Sequence, residues 1–374
     1  MTDLIGRARE RLQAIRDAGL YRQRRTFELL PGAIIRVDGR ECIDFASNNY
    51  LGLAAQQPLA GTAGSGASAL VSGRSVQQAE LERRLAAFEQ TGDALVFPTG
   101  YAANLGTVAA LAASGDTIFV DKLDHSCLVE GARLSGGRLR VYRSDRLDRL
   151  ARELGRATGR RFVVTDGVFS MEGTLAPLPE LLALCEDADA TLIVDEAHAT
   201  GVFGANGRGS CEHFGLRSDR ILRTGTLSKA FGGLGGFVTG HTDVIDWLRH
   251  EARTQMFSTA LPPACCDHAI ASLDIIEQQP DRRSRLHQSA DRVREELRTA
   301  GANVPPSIGP IVPVIIGDPE ETVRLATRLE ASGLLVGCIR PPTVPRGTSR
   351  LRISVSAIHT DEQIDKLVAA IAQG

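Results

Sequence analysis

The stretch TLIVDEAHATG, residues 191–201, runs from Thr191-Leu192-Ile193-Val194 straight into two acids and a histidine. An apolar run that ends abruptly in ionisable groups reads as a strand buried on both faces, with its chemistry at the carboxyl end. Its centre, Asp195-Glu196-Ala197-His198, also spells the DEAH signature of nucleotide-driven helicases. Such a motor needs a glycine-rich phosphate loop whose lysine reaches the terminal phosphates. The chain has only Lys122, Lys229 and Lys366, and none follows a glycine. A DEAH-type nucleotide hydrolase is therefore a remote alternative, and the acid pair is expected to serve other chemistry.

Outward from this strand the same pattern repeats. From about residue 92, short apolar β-rich runs (ALVFP, DTIFVD, RFVVTDGVF, TLIVDEA, RILRTGTL, GGFVTG) alternate with helical segments such as YAANLGTVAALA and HSCLVEGARL. Buried strands joined by helices predict an α/β fold with a mostly parallel sheet covered on both faces. Ligands bind such sheets at the carboxyl ends of their strands. Those ends carry His125, Ser170, Asp195, His198 and Lys229. The expected division is an N-terminal helix and hairpin over 1–43, with Asp38-Gly39 as the turn, a large α/β domain over 44–261, and an α+β domain over 262–374.

Bulk composition excludes several classes. At a net charge of −2 the basic residues are scattered among 45 acids, so no cationic stripe is expected and nothing argues for nucleic acid or an anionic membrane. No apolar run reaches the roughly 18 residues of a membrane span, and the polar start MTDLIGRARERLQ has no signal-peptide core, so a cytoplasmic protein is expected. Seven cysteines without C-x-x-C spacing fit reduced thiols rather than a disulfide framework or a metal site.

GTLSKAFGG, residues 225–233, places Lys229 beyond a β-run, between hydroxyls and glycines. A lysine there is able to form a Schiff base, while an aspartate buried at a neighbouring strand end requires a cationic or donor partner. Pyridoxal phosphate satisfies both: a carboxylate holds its ring nitrogen as a pyridinium and a lysine holds its aldehyde. Its phosphate suits a helix N-terminus, for which Gly100 and Tyr101 in PTGYAANLG are candidates with Thr226, although Tyr101 fits a core position equally well.

Taken in order, PTGYAAN, DKLDHSCLVEG, TDGVFSMEG, VDEAHATG and TLSKAFGGLGG resemble the α-oxoamine synthases, fold type I pyridoxal phosphate transferases that join an amino acid to an acyl thioester with loss of carbon dioxide. The resemblance covers nearly the whole chain. It implies a seven-stranded sheet, a smaller C-terminal domain and a homodimer with shared active sites. IRPPTVPRGTSRLRISVSAIHT (339–360) and SNNYLGL (47–53) are most similar to members that condense L-alanine with a pimeloyl thioester in biotin biosynthesis, the acyl group arriving on coenzyme A or on acyl carrier protein. Glycine-using members such as 2-amino-3-ketobutyrate ligase are the alternative.

The resemblance also implies roles. Lys229 would be the Schiff-base lysine and proton shuttle, Asp195 the partner of the ring nitrogen, and His125 the residue stacked on the ring. His198 and Ser170 would bond near the ring oxygen, and Thr226 with Gly100 and Tyr101 would hold the phosphate. Ser68 would reach the phosphate from the partner subunit. Arg352 would clamp the substrate carboxylate beside Asn48, Arg22 would sit by the acyl chain, and Thr343 would be a further substrate-binding residue. Arg350 and Arg352 alternate on one strand and share a face, so either serves as the clamp by pattern alone, and Arg340 is a third contender. Between YLGL and SGASALVSG the family carries a longer insertion; here AAQQPLAGTAG (54–64) bridges it, which affects packing at the expected dimer contact.

Overall fold

A computed structural model describes residues 3–22, 24–56 and 60–373; positions 57–59 of the shortened bridge lie outside the described residues. The chain begins with α1 (Leu4–Asp17) and the strands β1 (Phe27–Leu29), β2 (Ile34–Val37) and β3 (Arg40–Phe45). Then follow α2 (Val76–Glu89), β4 (Asp93–Phe97), α3 (Gly100–Leu111), β5 (Thr117–Asp121), α4 (Ser126–Leu134), β6 (Arg138–Tyr142), α5 (Leu147–Arg156), β7 (Arg161–Asp166), α6 (Leu178–Asp187) and β8 (Ala190–Asp195). After α7 (Ser210–His213) come β9 (Ile221–Thr226), β10 (Gly236–Gly240), α8 (Thr242–Glu251), α9 (Arg253–Met256), α10 (Pro263–Gln278) and α11 (Pro280–Thr299). The last elements are β11 (Ile311–Gly317), α12 (Pro319–Ala331), β12 (Leu334–Ile339), β13 (Ser349–Ser354) and α13 (Asp361–Ala372).

The large sheet has seven strands in the order β4-β10-β9-β8-β7-β5-β6. Only β10 runs antiparallel to its neighbours. β8 sits near the middle, buried on both faces as its apolar run requires, and pairs in parallel with β7 and β9. One apolar layer, including Phe97, Val108, Leu128 and Leu248, covers one face of the sheet, and a second, including Leu154, Leu181 and Leu192, covers the other. The carboxyl ends of β5, β7, β8 and β9 therefore open at one edge of a rigid platform.

Two features depart from the sequence reading. The seventh strand, β6, is not among the apolar runs: RLRVY is an edge strand whose exposed arginines break the buried-strand pattern. The N-terminal hairpin forms with Asp38 and Gly39 both at positive φ (48° and 89°), as a two-residue hairpin turn demands. It does not stand apart, however: β3 pairs in parallel with β12, so the second sheet reads β1-β2-β3-β12-β13-β11. Its strand Leu334–Ile339 is a further element that the helical and strand patterns of the C-terminal region do not single out. This sheet brings residues 44–50 and 349–354 to the same cleft.

Candidate active site

Lys229 follows β9, and its Nζ lies 2.9 Å from Nε2 of His198, which follows β8. On the other side of that ring, Nδ1 is 2.6 Å from the Tyr50 hydroxyl. The Tyr50 hydroxyl donates its only proton to Asn48 Oδ1 at 3.1 Å. With that proton on Asn48, the hydroxyl accepts from Arg352 Nη2 at 3.4 Å and from His198 Nδ1–H, the tautomer that turns the Nε2 lone pair toward Lys229. The bonds thus run one way: Lys229 donates to His198, His198 to Tyr50, and Tyr50 to Asn48. Burial, reinforced by Lys229, Arg352 and His125, holds the His198 pKa well below its ordinary value and keeps the ring neutral. Burial also lowers the pKa of Lys229, against the opposing pull of Asp195 and Asp166.

Arg352 on β13 closes the network. Its Nε donates to the Ser170 carbonyl at 2.6 Å, and its Nη1 donates to Asn48 Oδ1 and to Ser354 Oγ, each at 3.0 Å. Arg352 is 6% exposed and forms no ion pair among the described residues. Its neighbour Arg350 is equally buried, but it binds Glu172 Oε1 at 3.2 Å and the Met171 carbonyl. Arg340 donates to the Gly19 carbonyl near the end of α1. Of the three arginines that the strand pattern leaves open, Arg352 is the buried cation that lacks a counter-charge among the described residues.

Asp195 terminates β8 and is almost fully buried. Its Oδ1 accepts from Ala197 N at 2.8 Å and its Oδ2 from Asn104 Nδ2 at 2.6 Å, while the Thr224 hydroxyl donates to Asn104 Oδ1. The carboxylate is oriented from behind by a side chain that is itself fixed. His125 caps α4, with Nδ1 accepting from Cys127 N at 3.3 Å, and its ring meets Tyr101 edge-on at 6.2 Å. Tyr101 in turn donates to Glu130.

A third group lies where α3 begins. Thr99 caps this helix by accepting from Ala102 N. Gly100 stands so close to Thr226 that an added Cβ would come within 2.9 Å of Thr226 Cβ. A Cβ at Gly236 would meet Thr99 O at 2.4 Å and Gly100 Cα at 2.6 Å. These glycines press a helix N-terminus against the Thr226 hydroxyl, itself 2.8 Å from Ser228 Oγ. Backbone N–H groups, a helix dipole and two hydroxyls make a phosphate cradle. With a carboxylate, a half-buried lysine and an open histidine ring nearby, the donor set matches every polar end of pyridoxal phosphate.

Glu196, the second acid of the DEAH run, accepts from Ser210 N, Ser210 Oγ and Cys211 N at 2.8, 2.6 and 2.9 Å. It holds the start of α7 in place and is not free to activate water, which removes the hydrolase reading.

Of the residues singled out in the sequence, Lys229, His198, Asn48, Arg352 and Ser170 share one bonded network, Gly100 packs on Thr226, His125 meets Tyr101, and Asp195 stands at the end of β8 beside them. Ser170 contributes through its carbonyl. The Ser68 backbone pairs with Thr259 in an isolated bridge. Arg22 is exposed in the segment after α1, and Thr343 is exposed in the loop between β12 and β13, bonded to the Arg340 carbonyl. Two central residues escape the sequence reading. Tyr50 stands inside the quoted SNNYLGL but resembles an ordinary core aromatic. Asn104 lies four residues after Gly100, on the same helix face, which is the one signal that could have exposed it.

The fold and this cleft define a pyridoxal phosphate-dependent enzyme of fold type I. The aminotransferase class I and II family matches residues 40–371. The chain is 45% identical to an 8-amino-7-oxononanoate synthase of Methylococcus capsulatus, covering 96% of both chains, and 45% identical to one of Aromatoleum aromaticum, covering 98% of both. Among solved structures, serine palmitoyltransferase of Sphingomonas wittichii superposes with a TM-score of 0.93 at 30% identity, over 100% of this chain and 98% of that one. An 8-amino-7-oxononanoate synthase of Francisella tularensis gives 0.74 at 30% identity, over 89% and 97%. The chain belongs to the aminotransferase class I and II family and, within it, to the 8-amino-7-oxononanoate synthases.

Proposed function

We propose that this enzyme condenses L-alanine with a pimeloyl thioester, releasing carbon dioxide, the free thiol carrier and 8-amino-7-oxononanoate, a step of biotin biosynthesis. The observation that carries the reading is the buried, unpaired Arg352 within one hydrogen-bonded network with Lys229 and His198. A small amino acid placed there puts its carboxylate on a guanidinium and its Cα near the lysine amine.

Asp195 would hold the ring nitrogen of pyridoxal phosphate and Gly100, Tyr101 and Thr226 its phosphate, and the bound cofactor would supply an electron sink for deprotonation at the alanine Cα. The chain's own groups do the rest. Lys229 holds the cofactor between turnovers and moves the Cα proton, and its lowered pKa raises the fraction of free amine near neutrality. His198 accepts from Lys229 and orients it. His125 covers the open face of the site, and Ser170 with Asn48 fixes the Arg352 clamp. Arg22 is assigned to the acyl chain and Thr343 to the bound substrate.

The enzyme is proposed to act as a homodimer with shared sites, Ser68 serving the partner's phosphate cradle. The supporting observation is the exposure of Leu70, Val71 and Val76, an apolar surface running from Ser68 to the start of α2 that calls for a cover. The test is product analysis with pimeloyl-CoA and either L-alanine or glycine. Alanine-dependent release of carbon dioxide and thiol in equal amounts is expected; preference for glycine refutes the assignment.

A further inference from the structure

Residues 133–161 carry ten arginines against three acids, in a chain whose formal net charge is −2. The whole-chain count hides this bias, and the fold concentrates it. These residues form the open edge of the large sheet: the end of α4, the edge strand β6, and α5 packed beside it. All three acids are taken up locally, Asp145 by Arg143, Asp148 by Arg152 and Glu153 by Arg149. Arg133, Arg138, Arg140 and Arg146 are exposed and have no carboxylate partner among the described residues.

Charges on an edge strand also deter edge-to-edge pairing, and that accounts for Arg138 and Arg140. It does not account for Lys122, Arg143, Arg146 and Arg149, which lie off the strand and line a pocket with Val141, Tyr142, Leu150 and one acid, the Arg149-bound Glu153. That pocket is at the same end of the sheet as the active site. Lys122 donates its N–H to the Tyr142 carbonyl and precedes His125 by three residues. From β8, which bears Asp195, β6 is the third strand along, a lateral offset of roughly 14 Å at normal strand spacing.

We infer that this surface docks an acidic acyl carrier protein, which would deliver the pimeloyl group on its flexible phosphopantetheine arm. The inference rests on the proposed reaction and gives the place where a protein-bound acyl donor docks. The breadth of the patch favours a protein over coenzyme A: α5 alone runs about 15 Å and β6 adds a strand of roughly 17 Å, wider than the phosphates of one nucleotide. An offset of this size from the catalytic strands suits a thioester carried on a long arm. Rim arginines of this kind act mainly on encounter rate and are sensitive to salt.

The test uses the holoenzyme and a triple variant, Arg138→Glu, Arg140→Glu and Arg146→Glu, checked by circular dichroism, with the milder triple glutamine variant as a second probe. Binding of fluorescently labelled holo-acyl carrier protein is read by anisotropy across a salt series, and turnover is measured with pimeloyl-acyl carrier protein and with pimeloyl-CoA. Expected are salt-sensitive binding by the wild type, weakening by about tenfold or more in the glutamate variant, and a matching rise in KM for the protein-bound donor while kinetics with pimeloyl-CoA hold. Equal losses with both donors would make the patch a nucleotide subsite and overturn the inference, as would absence of carrier binding or tighter binding of a duplex DNA competitor. Carrier binding without turnover of either donor supports the surface while refuting the proposed reaction.

Discussion

Replacing Tyr50 with phenylalanine removes a single oxygen from a side chain that is 0% exposed, so the ring still fills its place in the core. What changes is the tautomer of His198. Without the Tyr50 acceptor, the proton on Nδ1 would be buried and unpaired, a state that costs about 1–3 kcal/mol. The imidazole escapes by moving that proton to Nε2, where it faces the Lys229 amine. Lys229 then loses the acceptor of its ammonium and gains a donor that favours its neutral form. A hydrogen bond to a charged group contributes about 1.5–3 kcal/mol, and each pKa unit corresponds to about 1.4 kcal/mol. The Lys229 pKa, already lowered by burial, should therefore fall by a further one to two units, roughly. The assay needs no cofactor: the apoprotein is acylated at graded pH and its three lysine peptides are quantified by mass spectrometry. Exposed Lys122 and Lys366 serve as references in each digest. A Lys229 midpoint that fails to move, or nitrogen NMR placing the wild-type His198 proton on Nε2, refutes the directional chain.

Gly236→Ala should weaken cofactor binding about tenfold and cost about 1–3 kcal/mol of stability, because its Cβ meets only backbone, at Thr99 and Gly100; equilibrium dialysis and denaturant titration read the two effects. Arg352→Lys should raise KM for alanine by about tenfold or more, whereas Arg350→Lys, which disturbs the bond to Glu172, should show chiefly in thermal stability. Lys229→Ala should leave no multiple turnover in a product assay. His359 is buried with a pKa lowered to about 4, mainly by burial. The unfolded chain takes up this proton below about pH 6.5 and the folded chain only near pH 4, so stability falls with decreasing pH across that window, by up to about 3 kcal/mol. Denaturant midpoints from pH 7 to 4 should show this slope, flattened in His359→Gln.

Much of this enzyme was legible before folding, and the reason is local. TLIVDEAH, RFVVTDGVF and RILRTGTL announce buried parallel strands because a strand covered on both faces cannot alternate, and their ends deliver Asp195, His198, Ser170 and Lys229 to one side of the sheet. The Asp38-Gly39 turn is equally local, fixed by two residues that tolerate positive φ. The edge strand β6 was not legible, since an exposed edge relaxes the rule by which buried strands are recognised.

The residue types of the site, and the side of the sheet on which they stand, are properties of the sequence alone. Only the tertiary structure distinguishes Arg352 from Arg350, since the difference is whether Glu172 reaches the guanidinium. Only it set Tyr50 against His198, 148 positions away, and Asn104 against Asp195, 91 positions away. Periodicity records which face a residue takes within its own element, but it carries no information about which distant element packs opposite. That depends on how two sheets and their helices close on a common core, and in this enzyme the closure fixes the directions of the protons.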